Sequence, residues 1–263
     1  PPSRYHGLFY FDKEAMKMYK FIESIDIVGY DEVSSVKNGF YFIDRRKGSI
    51  IESFLMPKGY NSLIYKLSSE NEIDLILDCK DSYDNREWGR HYTIFEEKEC
   101  VIVKFTKRTD RREDSSDNIE EFSIYLVIIS DKTSYEKNDR WIERHYSYDE
   151  ERKSPPFRRY VYNALRLKGT KFIFSMSKNK NGAIKECKHI FKNLNKVKNQ
   201  ENLAFLNFLE NESIINVIKN KKINNEIKVA YISALNSLNN LNVTGIFAGL
   251  PWFYQFWSRD TLI

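Results

Sequence analysis

"CVIVKFTKR", residues 100–108, sets Val101, Val103 and Phe105 against Ile102, Lys104 and Thr106. A period of two belongs to a β-strand with one apolar and one wetter face, because successive side chains leave the backbone on opposite sides. Runs of the same character lie on either side of it: "GLFYFD" (7–12), "NGFYFIDR" (38–45), "NSLIYKLSS" (61–69), "EIDLILDC" (72–79), "HYTIFEE" (91–97), "FSIYLVIIS" (122–130) and "TKFIFSMS" (170–177). Gly, Asn, Asp and Pro punctuate them. "DRRKGS" (44–49) reads as a turn in which Gly48 is free to take a positive φ. So many short strands, without helical patterns between them, predict antiparallel sheets packed face to face in a large β sandwich. The charged segment "KRTDRREDSSDNIEE" (107–121) and "YDEERKSPPF" (148–157) read as solvated loops.

Past residue 180 the pattern changes. "ECKHIFKNL" (186–194) and "NLAFLNFLENESIINVI" (202–218) carry helical spacing. In "KINNEIKVAYISALNSLNNLN" (222–242) Ile223, Ile227, Ala230, Tyr231, Ala234, Leu235, Leu238 and Leu241 recur at steps of three and four, which predicts one apolar stripe on a long helix. Gly182 is expected to close the strand region, and Asn239, Asn240 and Asn242 to close that helix. The expected division is a β module over 1–180, a helical linker over 181–221, and a further unit beginning at 222 and running to 263.

Composition bounds the function. Of 263 residues, 41% are hydrophobic and 15% aromatic, enough apolar surface for a packed core and against wholesale disorder. Forty-two Lys plus Arg against 37 Asp plus Glu leave a net charge of +5, spread along the chain instead of clustered as a nucleic-acid binder requires. No run is long and apolar enough to span a membrane. Cys79, Cys100 and Cys187 lack metal-ligand spacing and read as reduced thiols. His6 in "RYHGL" reads as a hydrogen-bonding strand residue, and His91, His145 and His189 are scattered, so no metal or other cofactor is assigned. A cytoplasmic location is the expectation. The chain starts without methionine and stops at Ile263 just after an aromatic-rich segment, which predicts a piece of a longer protein.

That segment is "AGLPWFYQFWSRDTLI" (248–263). Gly249 and Pro251 disfavour a helix, so it reads as a loop, with Asp260 near the N-cap of a following helix and Arg259 beside it. Aromatic faces next to a guanidinium and a carboxylate suit a sugar, whose C–H faces lie on rings while its hydroxyls take charge-assisted hydrogen bonds.

The same segment resembles the A-G-x-P-W-F…W-G-R-D-T signature of the glycogen debranching enzymes, in their amylo-α-1,6-glucosidase module and its archaeal and bacterial relatives. "PSRYHGLF" (2–9) resembles the T-R-x-Y-H-G-L segment that opens the N-terminal β domain of that family, and the separation of the two motifs fits. "SYDNREWGRHY" (82–92) and "WIERHYSYDEERK" (141–153) are less diagnostic matches. Ser258 departs from the pattern, standing where the family has Gly and lacking its backbone freedom.

The resemblance implies a mainly β fold: a large antiparallel β supersandwich, a helical linker and the first helix of an (α/α)6 barrel, whose mouth holds the active site. It implies that Arg259 and Asp260 grip hydroxyls of the terminal glucose, and that Trp252, Phe253 and Trp257 wall its pocket. Inverting hydrolysis needs two carboxyls about 6.5–9.5 Å apart, and the family carries them far downstream, so no catalytic residue is expected within 1–263. The implied partners are a glycogen-like α-glucan and the remainder of the catalytic domain. The alternative is a β module that docks carbohydrate or a neighbouring domain without chemistry of its own. A nucleic-acid binder, the third possibility, would show affinity falling steeply with salt.

Overall fold

The computed structural model describes residues 2–109, 119–132, 134–241, 247–248 and 255–256. It is mainly β, with one large antiparallel sheet followed by C-terminal helices. The strands are β1 (Leu8–Asp12), β2 (Lys17–Ile27), β3 (Ser35–Asn38), β4 (Phe42–Lys47), β5 (Ile50–Leu55), β6 (Ser62–Asp81), β7 (Arg90–Glu97), β8 (Cys100–Arg108), β9 (Glu120–Ser130), β10 (Tyr135–His145) and β11 (Arg158–Ser177). A short helix α1 (Ser147–Glu151) separates β10 from β11. After β11 come α2 (Lys180–Lys192), α3 (Leu194–Leu209), α4 (Glu212–Lys219) and α5 (Asn225–Leu241).

Two long strands, β6 and β11, organise the sheet. They pair with each other along most of their length, and their two halves recruit different neighbours. The first half of β6 (Ile64–Leu67) pairs with β5 and its second half (Ile73–Asp81) with β2; β11 pairs with β10 through Arg158–Leu167 and with β9 through Phe172–Ser177. The sheet therefore splits into two lobes, β1-β2-β6-β11-β10 and β3-β4-β5-β6-β11-β9-β8-β7. "NSLIYKLSS" and "EIDLILDC" are one strand, not two. The polar Ser68, Ser69 and Glu70 between them are exposed at the crossing point, so they look like a break without making a turn. Register shifts at the crossing, between Gly169 and Lys171, and between Asn163 and Leu165 let the paired strands bend.

The lobes face one another. Tyr19 of β2 lies 4.8 Å from Phe122 of β9, Tyr92 of β7 stacks on Tyr162 of β11 at 4.5 Å, and the Tyr92 hydroxyl accepts from Cys79 N at 2.8 Å. Between them sits the larger core, with Phe21, Leu75, Leu77, Val103, Phe105, Leu126 and Phe174 sealed from solvent. A second core lies on the opposite face of β8, β9 and β11, where Ala183, Ile184, Cys187 and Ile190 of α2 cover Ile102, Val127 and Ile173. The expected wetter face of "CVIVKFTKR" is thus dry at Cys100 and Ile102, because α2 lies on it. Asn179 caps α2 by accepting from Gly182 N at 3.1 Å, so Gly182 belongs to the helix instead of ending the strands. The turn expected over 44–49 narrows to Gly48 (φ +56) and Ser49, since Asp44–Lys47 belong to β4. β2, β3, β5 and β10 lay outside the strand runs read from the sequence.

Among the described residues no helix is long and apolar enough to cross a membrane. All three cysteines are buried and free.

Candidate functional site

The opening motif is anchored first. Asp149 of α1 accepts from Ser3 Oγ (2.9 Å) and Arg4 N (2.8 Å), while the Arg4 guanidinium donates to the carbonyls of Ser154 and Pro156. Segment 148–157, which reads as a plain loop, is the clamp on residues 3 and 4. Lys20 Nζ donates to Arg4 O at 2.9 Å and forms a close ion pair with Glu23. Burial raises the Glu23 carboxyl above its usual range, against the pull of Lys20. His6 precedes β1 instead of lying on it, and burial together with Lys20 lowers its pKa. Gly7 takes φ +134, and a Cβ there would stand 2.3 Å from Ile22 O, so the turn into β1 admits no side chain at that position.

This anchored turn borders a cavity of about 1290 Å³. One wall is the start of β1 and the middle of β2, with His6, Glu23 and Asp26. A second is the β3–β4 turn and the β4–β5 hairpin, with Phe40, Tyr41, Arg45 and Phe54. The third is helical. Glu201, Ala204, Phe205 and Phe208 form one face of α3, and Ser233, Asn236, Ser237 and Asn240 one face of α5, each set falling at i, i+3, i+4 and i+7.

Cross-links hold these walls in place. The Phe40 and Phe205 rings stack at 4.8 Å, Tyr41 Oη donates to Asn202 Oδ1 (3.2 Å), and Asn236 Nδ2 donates to Phe40 O (2.9 Å). Arg45 meets the buried Glu52 at 2.8 Å and lies 4.6 Å over the Phe54 ring. Tyr65 donates to the same Glu52, and burial with that carboxylate raises the phenol's pKa.

The cavity carboxylates are mostly engaged. Glu23 pairs with Lys20, Asp26 accepts from Ser24 Oγ and Arg144 Nη2 (both 3.1 Å), and Glu201 accepts from Lys58 N at 2.8 Å. Groups held this way can accept hydrogen bonds from ligand hydroxyls. Rings, amides and charged acceptors around one concavity can hold a polyhydroxylated ligand. Among the described residues no three His, Cys, Asp or Glu side chains group as metal ligands.

α5 points its polar face into the cavity. Ile232 is its buried apolar residue, whereas Ile227, Val229 and Leu238 are exposed. The apolar stripe expected at Ile227, Ala234 and Leu238 is therefore not the face that packs against the β lobes. Beyond Leu241, Phe247–Ala248 pairs antiparallel with Gln255–Phe256, so Ala248, Gln255 and Phe256 of the stretch expected to be a loop belong to a short two-stranded ladder. Trp252, Phe253, Trp257, Arg259 and Asp260 lie outside the described residues. The sequence reading missed Phe40, Phe205, Phe208 and Asn236. The Gly39-Phe40-Tyr41-Phe42 run and the Phe205–Phe208 spacing were their signals, hidden because aromatics in strands and helices usually mean core.

No protein-family model and no curated protein matches the chain.

Proposed function

We propose that this chain is the N-terminal portion of a glycogen-debranching α-1,6-glucosidase: a β supersandwich over 1–180, a helical linker over 181–221 and, from 222, the first helix of an (α/α)6 catalytic barrel acting on glycogen-like α-glucan in the cytoplasm. The observation that carries this proposal is convergence. Pro2, His6 and Gly7 of the opening motif and Asn236, Asn239 and Asn240 of the helix that runs on toward the second motif line the same cavity. The aromatic and amide lining suits pyranose faces and hydroxyls. Arg259 and Asp260 would grip the terminal glucose, with Trp252, Phe253 and Trp257 as its wall, and the acid and base would come from helices beyond Ile263. Exposed Leu203, Leu206, Ile227, Val229 and Leu238 on α3 and α5 offer the apolar surface on which such helices would pack.

Glucose release from amylopectin limit dextrin tests this. The protein encoded through and past codon 263 is expected to release glucose, Arg259→Ala and Asp260→Ala to lower that rate at least a hundredfold, and residues 1–263 to release none. Turnover by residues 1–263 alone, or none by the longer protein, overturns the assignment. The engaged state of Glu23, Asp26 and Glu201 favours a second reading, a carbohydrate-binding or domain-docking module without turnover. Maltoheptaose binding with no glucose release by any longer product would select it.

A further inference from the structure

A second, shallower pocket of about 370 Å³ lies on the β10–β11 side of the sheet and shares no lining residue with the large cavity. Trp88, His91, Trp141 and Tyr160 frame it, with Arg90 and Glu87 between them. Register explains the grouping. Trp141 stands opposite Tyr162 and Glu143 opposite Tyr160, so Trp141 and Tyr160 are diagonal neighbours on one face of the β10–β11 ladder. Both remain exposed, at 42% and 51%. Trp141 is backed by Tyr162 (5.3 Å) and Tyr92 (5.8 Å) and lies over the Arg90 guanidinium (4.5 Å), which fixes its ring plane before anything binds.

Arg90 is almost fully buried, with 3% of its side chain exposed. Its Nε donates to Glu87 O (3.2 Å), and its Nη1 to Tyr160 O (2.7 Å) and Asp78 Oδ1 (3.3 Å). Among the described residues Nη2 makes no hydrogen bond, which leaves a charged donor for a ligand at the base of an aromatic frame. Glu87 accepts from Tyr160 N at 3.0 Å through Oε1, so a carboxylate borders the same space. An anion would be repelled by Glu87, and a cation by Arg90. A neutral polyol with flat apolar faces satisfies donor, acceptor and rings together.

We propose that this pocket is a second carbohydrate site that takes one hexopyranose unit against Trp141 and Tyr160, holding an α-glucan chain away from the large cavity. The hexose assignment stands on the pocket itself, whereas the choice of α-glucan rests on the debranching function proposed above. The protein holds four tryptophans, so 5-fluorotryptophan labelling gives a short ¹⁹F spectrum in which Trp88 and Trp141 are assignable by single substitution. Maltoheptaose is expected to shift both resonances, and to do so equally in Phe205→Ala, which alters only the large cavity. Tyr160→Ala is expected to weaken that titration about tenfold, the loss of one stacking partner. Resonances that stay fixed through saturating maltoheptaose and cellohexaose overturn the proposal, and should Tyr160→Ala lose its fold, the wild-type titration decides alone. A shift with cellohexaose only keeps the hexose site and removes the α-glucan. A maltoheptaose shift in a protein whose longer form never cleaves limit dextrin keeps the site and removes the debranching function.

Discussion

Asp78 carries a buried charge arrangement that local sequence does not announce. It is fully buried, and its Oδ1 lies 3.3 Å from both Arg90 Nη1 and Arg159 Nη2. Burial alone would raise its carboxyl, but Arg159 with Lys80, Lys20 and Arg90 holds it well below the usual range. Asp78→Asn would strand two buried guanidinium groups and is expected to cost about 3–5 kcal/mol, read as a fall in the denaturant midpoint. Lys80 next door gives a pH signature. Burial pushes its ammonium down to about 7, against the attraction of Asp78. Between that value and an ordinary lysine's, the unfolded chain binds the extra proton, so this group makes stability rise with pH. Lys80→Met should therefore be most favourable relative to wild type near pH 6, and its advantage should shrink by up to about 1.4 kcal/mol per unit toward pH 9. Denaturant curves at three pH values check this, and a constant offset would refute it. At Gly7, φ +134 and the nearby Ile22 carbonyl make Gly7→Ala costly by about 1–3 kcal/mol, measurable as a lower Tm.

At the scale of elements, α2 behaves as part of the β body. Its buried Ile190 and Cys187 complete the second core over β9 and β11, and Cys187 Sγ points at the carbonyls of Val127 and Ile173. Ile190→Ala is expected to cost about 2–5 kcal/mol and to lower amide protection in β9 along with α2. Loss of protection in α2 alone would mean that the helix is only a tether. α5 is bound more lightly, through Ile232 and the Asn236–Phe40 hydrogen bond. Helical periodicity located α5 well, since 17 residues at Asn225–Leu241 match a stripe read over 223–241. The direction of that stripe was not legible, because a repeat of three and four shows that a face exists without saying what lies against it.

For the whole molecule, the exposed apolar residues of α3 and α5 carry a prediction independent of catalysis. Residues 1–263 should bind ANS and self-associate through that face, whereas Ile227→Lys with Leu238→Lys should reduce both, with stability unchanged to within about 0.5 kcal/mol per site. Unchanged ANS binding in the double variant would place the sticky surface elsewhere. The large cavity also belongs to this scale. Its walls come from the chain's first residues, the β3–β5 hairpins and two C-terminal helices, and no local window contains it.

By itself the sequence determined that the chain is β-rich up to about residue 177 and helical from there to Leu241, because side-chain period and turn chemistry act over a few neighbours. It also carried the two end motifs on whose likeness to debranching enzymes the proposed α-glucan substrate rests. Tertiary structure decided that Ser68–Glu70 is a bend within one strand, that α2 dries the outer face of β8, and that α5 turns its asparagines inward. Only there do Arg90, Trp141 and Tyr160 meet. Each outcome depends on which surfaces come to face each other across long loops, and pairing at that distance is set by the combined burial of both lobes, which no single stretch encodes.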